Sequence, residues 1–238
     1  MASNEKSRKV VPIRLESFFK LSRLPNEERE KYFYPFGGFL ILLIIVFACG
    51  PKIKIDTTLH PLILPKNLDE YITRSESSFS GMFPGTEKKI TWAGKVGEQT
   101  PFAIVYIHGF SASRQDTAPL ANQVAEQIRA NLYCTRLTGH GRGAKAMMDG
   151  SVNAWLNDMH EAMEIGKRLG KRVIIMGNST GGTLTAWQAA QQDTEEIAAT
   201  VLISPNFGPA DRMASLLTWP WGGLFGDVFI GKNRSWQP

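Results

Sequence analysis

Residues 172–182 read Arg-Val-Ile-Ile-Met-Gly-Asn-Ser-Thr-Gly-Gly and place Ser179 between glycines, directly after a short apolar run. The run from Val173 to Met176 is too short for a helix and rich in β-branched residues, so it predicts a buried strand. A helix is predicted to follow it, from Thr180 to about Gln192. Ser179 therefore stands at a turn from strand to helix, where a fold can present a nucleophile.

Two glycines accompany this turn. A change from strand to helix within so few residues forces strained backbone at Ser179, and Gly177 and Gly181 carry no side chains to obstruct it. The serine hydroxyl would then stand above the edge of the sheet. A glycine-rich turn that merely caps the helix fits the same residues, so the interpretation depends on the rest of the chain.

A second strand and loop lie upstream. The apolar run from Phe102 to Ile107 predicts another buried strand, and a His-Gly-Phe turn follows at residues 108–110. Its glycine lets the backbone bend toward whatever occupies the site, which is typical of an oxyanion-hole loop. Acyl transfer needs two preorganised N–H donors aimed at the developing oxyanion. The predicted donors are the amides of Phe110 and Thr180.

A third strand completes the order of motifs. It is predicted at residues 132–136, and a Gly-His-Gly turn follows at residues 139–141. The three strands, each followed by its motif and a helix in this order, resemble the α/β-hydrolase family. Within that family the chain is most similar to the monoacylglycerol-lipase and lysophospholipase-like branch. The resemblance covers about residues 90–205.

The resemblance implies a fold and an activity. It implies an α/β domain with a mostly parallel sheet and helices on both faces. Ser179 would be the nucleophile that cleaves carboxylic esters of a lipid-like kind, and the amides of Phe110 and Thr180 would form the oxyanion hole. In that family the His-Gly-Phe form is associated with medium and long acyl chains. An amidase or peptidase of the same fold stays open, because the motifs specify acyl transfer and not the leaving group.

The histidines depart from the family's pattern. The triad of the fold runs Ser, then Asp or Glu, then His. All four histidines of this chain precede Ser179; they are His60, His108, His140 and His160. For His108 and His140 a structural role is favoured, because the corresponding histidines of relatives bond loop backbone. No catalytic acid or base is assigned, and the chain as given is predicted to be poorly active.

The C-terminal segment is interpreted as the start of a cap in a C-terminally incomplete fold. Residues 205–238 carry aromatic side chains spaced among Gly and Pro, which either line an acyl-chain channel or form the packing of the cap. These side chains are Phe207, Trp219, Trp221, Phe225 and Phe229. The competing hypothesis is a non-catalytic, membrane-anchored binding protein that kept part of a hydrolase fold.

Apolar residues repeat at helical intervals between the predicted strands, and they are expected to face the core. They are Leu120, Val124 and Ile128 and, after a predicted Ser151 N-cap, Trp155, Met159 and Met163. Alternation of strands and helices predicts a parallel sheet covered on both faces, and the resemblance implies that residues 52–204 are the N-terminal part of an α/β-hydrolase core. The chain shows no nucleotide-binding glycine pattern and no His or Cys spacing typical of a metal site, so no cofactor and no metal are predicted.

The segment of residues 32–51 contains no charged residue, and Lys31 and Lys52 bracket it. It is predicted to be a hydrophobic membrane anchor, and its strictly apolar part is short against the roughly 20 residues of a spanning helix. The sequence Val-Phe-Ala-Cys at residues 46–49 resembles a bacterial lipoprotein cleavage box, so a lipoprotein-type signal that lipidates Cys49 stays open. A buried helix of a soluble domain is the third alternative.

Residues 1–31 form a basic N-terminal tail. Its charge favours a cytoplasmic N-terminus and a catalytic domain on the extracytoplasmic side of a membrane. The net charge of +5 comes partly from this tail, so it is no argument for nucleic acid. Cys134 lies inside a predicted strand and is expected to be an inert buried thiol. The predicted partners are a membrane and a small-molecule ester or lipid substrate.

Overall fold

The computed structural model describes residues 26–51, 55–191, 195–209 and 215–229. The basic tail predicted for residues 1–31 therefore lies outside the described residues, except for its end from residue 26 onward. The chain divides into two compact units, which are residues 53–212 and residues 1–52 together with 213–238.

The unit of residues 53–212 is built on a sheet. In the described part of the chain this sheet has five strands in the order β1-β3-β2-β4-β5. The strands are β1 (Lys89–Thr91), β2 (Thr100–Ile107), β3 (Asn131–Cys134), β4 (Gly170–Asn178) and β5 (Ile197–Ile203). Neighbouring strands run parallel except for β1, which pairs with β3 in the antiparallel sense. The predicted mostly parallel sheet is confirmed.

Helices connect the parallel strands. The helices of the described residues are α1 (Asn26–Ala48), α2 (Leu68–Ser77), α3 (Arg114–Gln127), α4 (Val152–Leu169), α5 (Thr180–Ala189) and α6 (Gly222–Phe229), with 3-10 turns at Ala144–Asp149 and Leu216–Thr218. Ser151 caps α4, since its side chain accepts a hydrogen bond from the Ala154 N–H at 3.0 Å. The predicted N-cap is thus confirmed.

The prediction for α3 was wrong for Leu120 and Ile128, whereas Val124 packs against the core as predicted. Leu120 is 47% exposed and Ile128 is 43% exposed, whereas Ala121 and Ala125 are buried against the sheet. The face that meets the sheet therefore lies one residue further along the helix than the leucine pattern indicates. Small side chains at this face let the helix lie close to the strands, while Leu120 and Ile128 are exposed.

The sheet separates two apolar cores. Successive side chains of a strand point to opposite faces, so β2 and β4 contribute to both. The core beneath α4 contains Val105, Ile107, Met159, Met163, Val173 and Ile175. The core beneath α3 contains Ile104, Tyr106, Ala121, Ala125, Leu132 and Met176. Both faces of the central strands are thus covered, as the parallel arrangement requires.

β5 stands at one edge of the described sheet. It pairs with β4, and its apolar side chains are partly exposed, with Val201 at 37% and Leu202 at 40%. The end of β5 matters for the candidate site, because it meets the turn that follows β4.

The other unit contains α1 and the described residues after 213. The apolar side chains of α1 from Phe33 to Phe47 are exposed by 41% to 71%. The Trp219 ring packs edge-to-face on Phe47 with ring centroids 5.8 Å apart, and the Trp221 Nε1 donates to the Val46 carbonyl at 3.1 Å. These contacts favour a packing role for the two tryptophans.

No helix among the described residues is both long and apolar enough to cross a bilayer. The membrane segment predicted for residues 32–51 stays a prediction.

Candidate active site

Ser179 lies between β4 and α5 in an unusual backbone conformation. Its φ is 51° and its ψ is −115°, a combination that costs on the order of 1–3 kcal/mol for a residue other than glycine. Ser179 occupies the N-cap position of α5, but its side chain makes no capping hydrogen bond. This geometry therefore disfavours the alternative in which Ser179 merely caps the helix.

The glycines on either side of Ser179 are places where a side chain would collide with backbone. A Cβ carbon at Gly177 would lie 2.3 Å from the Gly181 carbonyl oxygen. A Cβ carbon at Gly181 would lie 2.2 Å from the Ile107 carbonyl oxygen and 2.5 Å from that of His108. The turn after β4 and the loop after β2 thus approach each other at van der Waals distance.

Residues at and after the end of β5 form hydrogen bonds with the turn that contains Ser179. The Ser179 N–H donates to the Ile203 carbonyl at 2.9 Å, and the Asn206 N–H donates to the Ser179 carbonyl at 3.2 Å. The Thr183 hydroxyl in turn donates to the Asn206 carbonyl at 2.7 Å. These hydrogen bonds fix the backbone around Ser179, and this is what allows its strained conformation to persist.

The His108 ring is buried and both of its nitrogens are engaged. Nε2 accepts from the Leu137 N–H at 3.0 Å, so the proton is on Nδ1, which donates to the Gly109 carbonyl at 2.8 Å. Burial lowers the pKa of His108 to about 3. A neutral ring with both nitrogens bonded to backbone ties two loops together and offers no base to Ser179.

His140 has the same arrangement. Its Nε2 accepts from the Ser111 N–H at 3.0 Å, and its Nδ1 lies 3.3 Å from the Thr138 carbonyl oxygen. Burial lowers the pKa of this ring as well. Both histidines therefore bond loop backbone, in agreement with the structural role that the sequence favours for them.

The other two histidines line a different feature. His60 and His160 border a cavity of about 190 Å³ beside α4, together with Lys88, Asp158 and Glu161. The Asn157 side chain binds the His60 N–H at 2.7 Å. Neither the acid nor the base of an acyl-transfer site is assigned from these residues.

A comparison with known protein families decides the classification. The family model described as serine aminopeptidase, S33, matches residues 99–232, which is more than half of the chain. The chain belongs to this family of α/β-hydrolases. No curated protein matches this α/β-hydrolase chain.

Solved structures similar to the α/β-hydrolase chain include one from the metagenome-derived lipolytic enzymes LipS and LipT. It is 26% identical, with a TM-score of 0.50 over 57% of this chain and 52% of that one. Est1E from Butyrivibrio proteoclasticus, with ferulic acid bound, is 21% identical with a TM-score of 0.43 over 50% of this chain and 48% of its own. The Pyrococcus furiosus esterase Pf2001 is 16% identical, with a TM-score of 0.38 over 79% and 63%. The chain spans about half the length of the first two structures.

One half-buried carboxylate of this α/β-hydrolase chain was missed at the level of sequence. Asp158 on α4 accepts hydrogen bonds from the Thr138 N–H at 2.5 Å and from the Thr138 hydroxyl at 3.0 Å. Burial raises its pKa to about 6. The signal that could have found it is an aspartate three residues after Trp155 and next to Met159, on the apolar face of a helix.

A buried ion pair lies beneath the Gly-His-Gly turn. Arg136 donates to both carboxylate oxygens of Glu76 at 2.8 Å, and its Nη1 donates to the His140 carbonyl at 3.1 Å. Lys88 and Glu161 form a second pair that is nearly buried. The charges around the turn are therefore paired, which is the condition for burying them.

The remaining predicted residues have little chemistry of their own. Cys49 is exposed, and Cys134 is buried. Burial raises the pKa of the Cys134 thiol to about 12, so it stays a protonated thiol. Within the described residues, no group of three or more His, Cys, Asp or Glu side chains could hold a metal ion.

Proposed function

We propose that the protein hydrolyses carboxylic esters of a lipid-like kind through an acyl-enzyme on Ser179. The observation that carries this proposal is the Ser179 backbone, a strained non-glycine residue with φ 51° between a strand and a helix. Such a turn presents the side chain at the sheet edge, and the hydroxyl here is not used to cap the helix. The similarity to lipolytic enzymes and the membership in a serine hydrolase family support the reaction class.

The reaction proceeds in two halves. The Ser179 hydroxyl attacks the ester carbonyl carbon while its proton passes to a general base, and the carbonyl oxygen becomes an oxyanion. The amides of Phe110 and Thr180 stabilise that oxyanion. The bond to the alcohol breaks as the alcohol takes up the proton, which leaves an acyl-enzyme. Water then attacks the acyl-enzyme and releases the acid.

The general base is a residue other than His108 and His140, because the ring nitrogens of both bond loop backbone. Without a base the Ser179 hydroxyl stays protonated. Removing the triad costs on the order of a million-fold in kcat in a comparable hydrolase. Since the base is not assigned, we choose a test that detects slow acylation.

Covalent labelling tests the assignment directly. The full chain is incubated with a fluorophosphonate probe and with p-nitrophenyl esters of short and long acyl chains, and the labelled peptide is identified by mass spectrometry. The matched variants are Ser179→Ala and Ser77→Ala, since the Ser77 side chain only bonds the Arg74 carbonyl on an exposed helix. We expect label on Ser179, normal labelling of Ser77→Ala and none of Ser179→Ala. Equal reactivity of Ser179→Ala would overturn the assignment of the nucleophile, and a wild type that is not labelled would favour the non-catalytic binding protein.

An aminopeptidase is the second candidate, because the matched family model carries that description. The acyl-enzyme would be the same, and only the leaving group would be an amine. Amino-acid nitroanilides with a free N-terminus, compared with acyl esters of equal size, distinguish the two. A higher kcat/KM on the nitroanilides would replace the esterase proposal by the peptidase.

The second part of the proposal concerns location. Residues 32–51 hold the protein at a membrane, either as a single-pass anchor or as a lipoprotein-type signal processed at Cys49, with the catalytic domain on the extracytoplasmic side. The exposed apolar side chains of α1 support it, because contiguous apolar surface of this kind needs an apolar partner. Lys31 and Lys52, which bracket the segment, would lie in the interface.

Fractionation and intact mass test the location. We expect the protein to stay with membranes in sodium carbonate at pH 11, and a variant with four leucines and isoleucines of α1 changed to serine to be released. A lipid-bearing species that begins at Cys49, and that Cys49→Ser abolishes, would identify the lipoprotein. Recovery of the unmodified protein from the carbonate supernatant would contradict membrane attachment.

A further inference from the structure

The loop after β2 and the Gly-His-Gly turn meet at the His140 ring. The Ser111 N–H points at Nε2 over 3.0 Å, so Nε2 carries a lone pair and the ring proton is on Nδ1. Nδ1 faces the Thr138 carbonyl oxygen at 3.3 Å. A single neutral tautomer therefore satisfies both contacts, and either the other neutral tautomer or a doubly protonated ring would turn an Nε2–H toward the Ser111 N–H.

The contact holds a strained part of the loop. Ser111 has a φ of 50°, in the left-handed region that favours glycine. It directly follows Phe110, whose amide is the proposed oxyanion donor. The Phe110 ring packs edge-on against His140 with centroids 5.8 Å apart and against Trp155 at 6.1 Å. The backbone direction at Phe110 thus depends on contacts made by its neighbour and by its own ring.

The turn that carries His140 is itself anchored to α4. Asp158 accepts both the N–H and the hydroxyl of Thr138, and the Trp155 Nε1 donates to the Thr138 carbonyl at 2.9 Å. Arg136 donates to the His140 carbonyl at 3.1 Å. A continuous series of hydrogen bonds thus runs from α4 through Thr138 and His140 to the Ser111 amide.

The charges that face His140 come from several elements. The His108 ring lies 4.9 Å away between centroids, the Arg136 guanidinium donates to the His140 carbonyl, and Asp158 accepts from the N–H of Thr138. Burial lowers the pKa of His140, the bonds to Thr138 and Leu137 oppose this effect, and Arg136 lowers the pKa further. His140 is therefore neutral at neutral pH.

We propose that His140 is a positioning residue of the oxyanion hole, whose neutral Nε2 holds the Ser111 amide and thereby aims the amide of Phe110 at the substrate oxygen. The proposal rests on the acyl-transfer function proposed above. It assigns Asp158 the role of anchoring the turn on which His140 stands. Protonation of His140 would release the loop and weaken the oxyanion hole without touching Ser179.

Two variants of His140 distinguish the role of its hydrogen-bond acceptor, Nε2, from the packing role of its ring. In His140→Gln the side-chain amide oxygen can reach the place of Nε2, so the acceptor is kept but no longer titrates. In His140→Phe the ring contacts are kept and the acceptor is lost. We expect the rate of fluorophosphonate labelling to stay within about threefold of wild type for His140→Gln and to fall by about ten- to a hundredfold for His140→Phe, less than the loss of a whole oxyanion donor. His160→Gln is the matched control.

The pH profile is the readout that a merely structural histidine would not move. We expect the acid limb of the wild-type labelling rate to contain the protonation of His140 in addition to that of the general base, and the acid limb of His140→Gln to lack the His140 component. An unchanged acid limb in His140→Gln, or wild-type labelling by a folded His140→Phe, would overturn the proposal.

A second measurement does not depend on activity. Nitrogen-15 NMR of the imidazole rings should show His140 with its proton on Nδ1, and the Ser111 amide should exchange slowly with solvent in the wild type and in His140→Gln but rapidly in His140→Phe. If the wild type is not labelled at all, the proposed function fails, while these spectra still decide the loop contact. A proton on Nε2 of His140 would overturn the inference in either case.

Discussion

Gly109 lies against Ser179 so closely that a Cβ carbon at Gly109 would stand 3.1 Å from the Ser179 Cβ and 3.7 Å from its Oγ. The loop that carries the proposed oxyanion donor and the turn that carries the proposed nucleophile are therefore in direct contact. Two peptide segments that are 70 positions apart in the chain thus form one candidate site, and we expect small changes at the contact to alter reactivity before they alter the fold.

Gly109→Ala tests this contact. The new methyl group would have to displace Ser179 or the loop by a few tenths of an ångström, so we expect a cost of about 1 kcal/mol in the free energy of unfolding. Misplacement of reacting groups is far more costly for chemistry, and we expect labelling of Ser179 to slow at least about tenfold. Gly143→Ala is the control, since a Cβ carbon there would meet nothing within 4 Å. Unchanged labelling of Gly109→Ala would show that the contact does not govern the site.

Gly181→Ala should act on stability instead. Its Cβ would lie 2.2 Å from the Ile107 carbonyl oxygen, which is backbone and cannot rotate away. We expect a loss of about 3 kcal/mol, measured by urea unfolding, although alanine is the better helix former. The neighbouring Gly182→Ala, whose Cβ would meet its nearest atom at 3.1 Å, should lose clearly less. Similar losses for both would contradict the close approach of the two loops.

The Asp158 carboxyl should make stability depend on pH. Burial raises its pKa from 3.8 to about 6, so the folded protein binds this proton more tightly than the unfolded chain does. Below pH 3.8, the pKa of this carboxyl in the unfolded chain, the protonated Asp158 makes its full contribution to the free energy of unfolding. This contribution is lost as the pH rises through the folded-state pKa of about 6, and the total loss is about 3 kcal/mol.

In Asp158→Asn the amide can still accept from the Thr138 N–H and cannot ionise. We expect its unfolding free energy to fall less between pH 4 and pH 7 than that of the wild type, by comparison of urea unfolding curves at three pH values. Asp149→Asn is the control, because Asp149 is an exposed partner of Arg142. Parallel pH dependences of wild type and Asp158→Asn would exclude the raised pKa.

The ion pair between Glu76 and Arg136 should be sensitive to the loss of either partner. Glu76→Gln leaves the buried guanidinium without a counter-charge, and we expect a loss of roughly 3 kcal/mol or more. Glu70→Gln removes an exposed pair with Arg74 and should cost less than about 1 kcal/mol. Thermal unfolding of the two variants side by side provides the comparison, and equal melting temperatures would show that the Arg136 pair is not buried in solution.

The sequence by itself predicts the strands from residues 102, 132 and 173 and the turns that follow them. This succeeds because a run of apolar β-branched residues, and a serine framed by glycines, are local patterns whose meaning does not depend on distant parts of the chain. The same local patterns failed for the face of α3. There the sheet selects Ala121 and Ala125, because closeness of helix and strand, rather than the size of the apolar side chain, decides which residues are buried.

Only the tertiary structure decided what the polar residues near Ser179 do. Ser111 and His140 are 29 positions apart, and Glu76 and Arg136 are 60 apart. Their hydrogen bonds depend on the order β3-β2-β4 and on how the loops at the ends of these strands pack. Burial then lowers the pKa of His108 and His140 and raises the pKa of Asp158, since the cost of removing a charge from water is a property of the packed fold and not of the residue type.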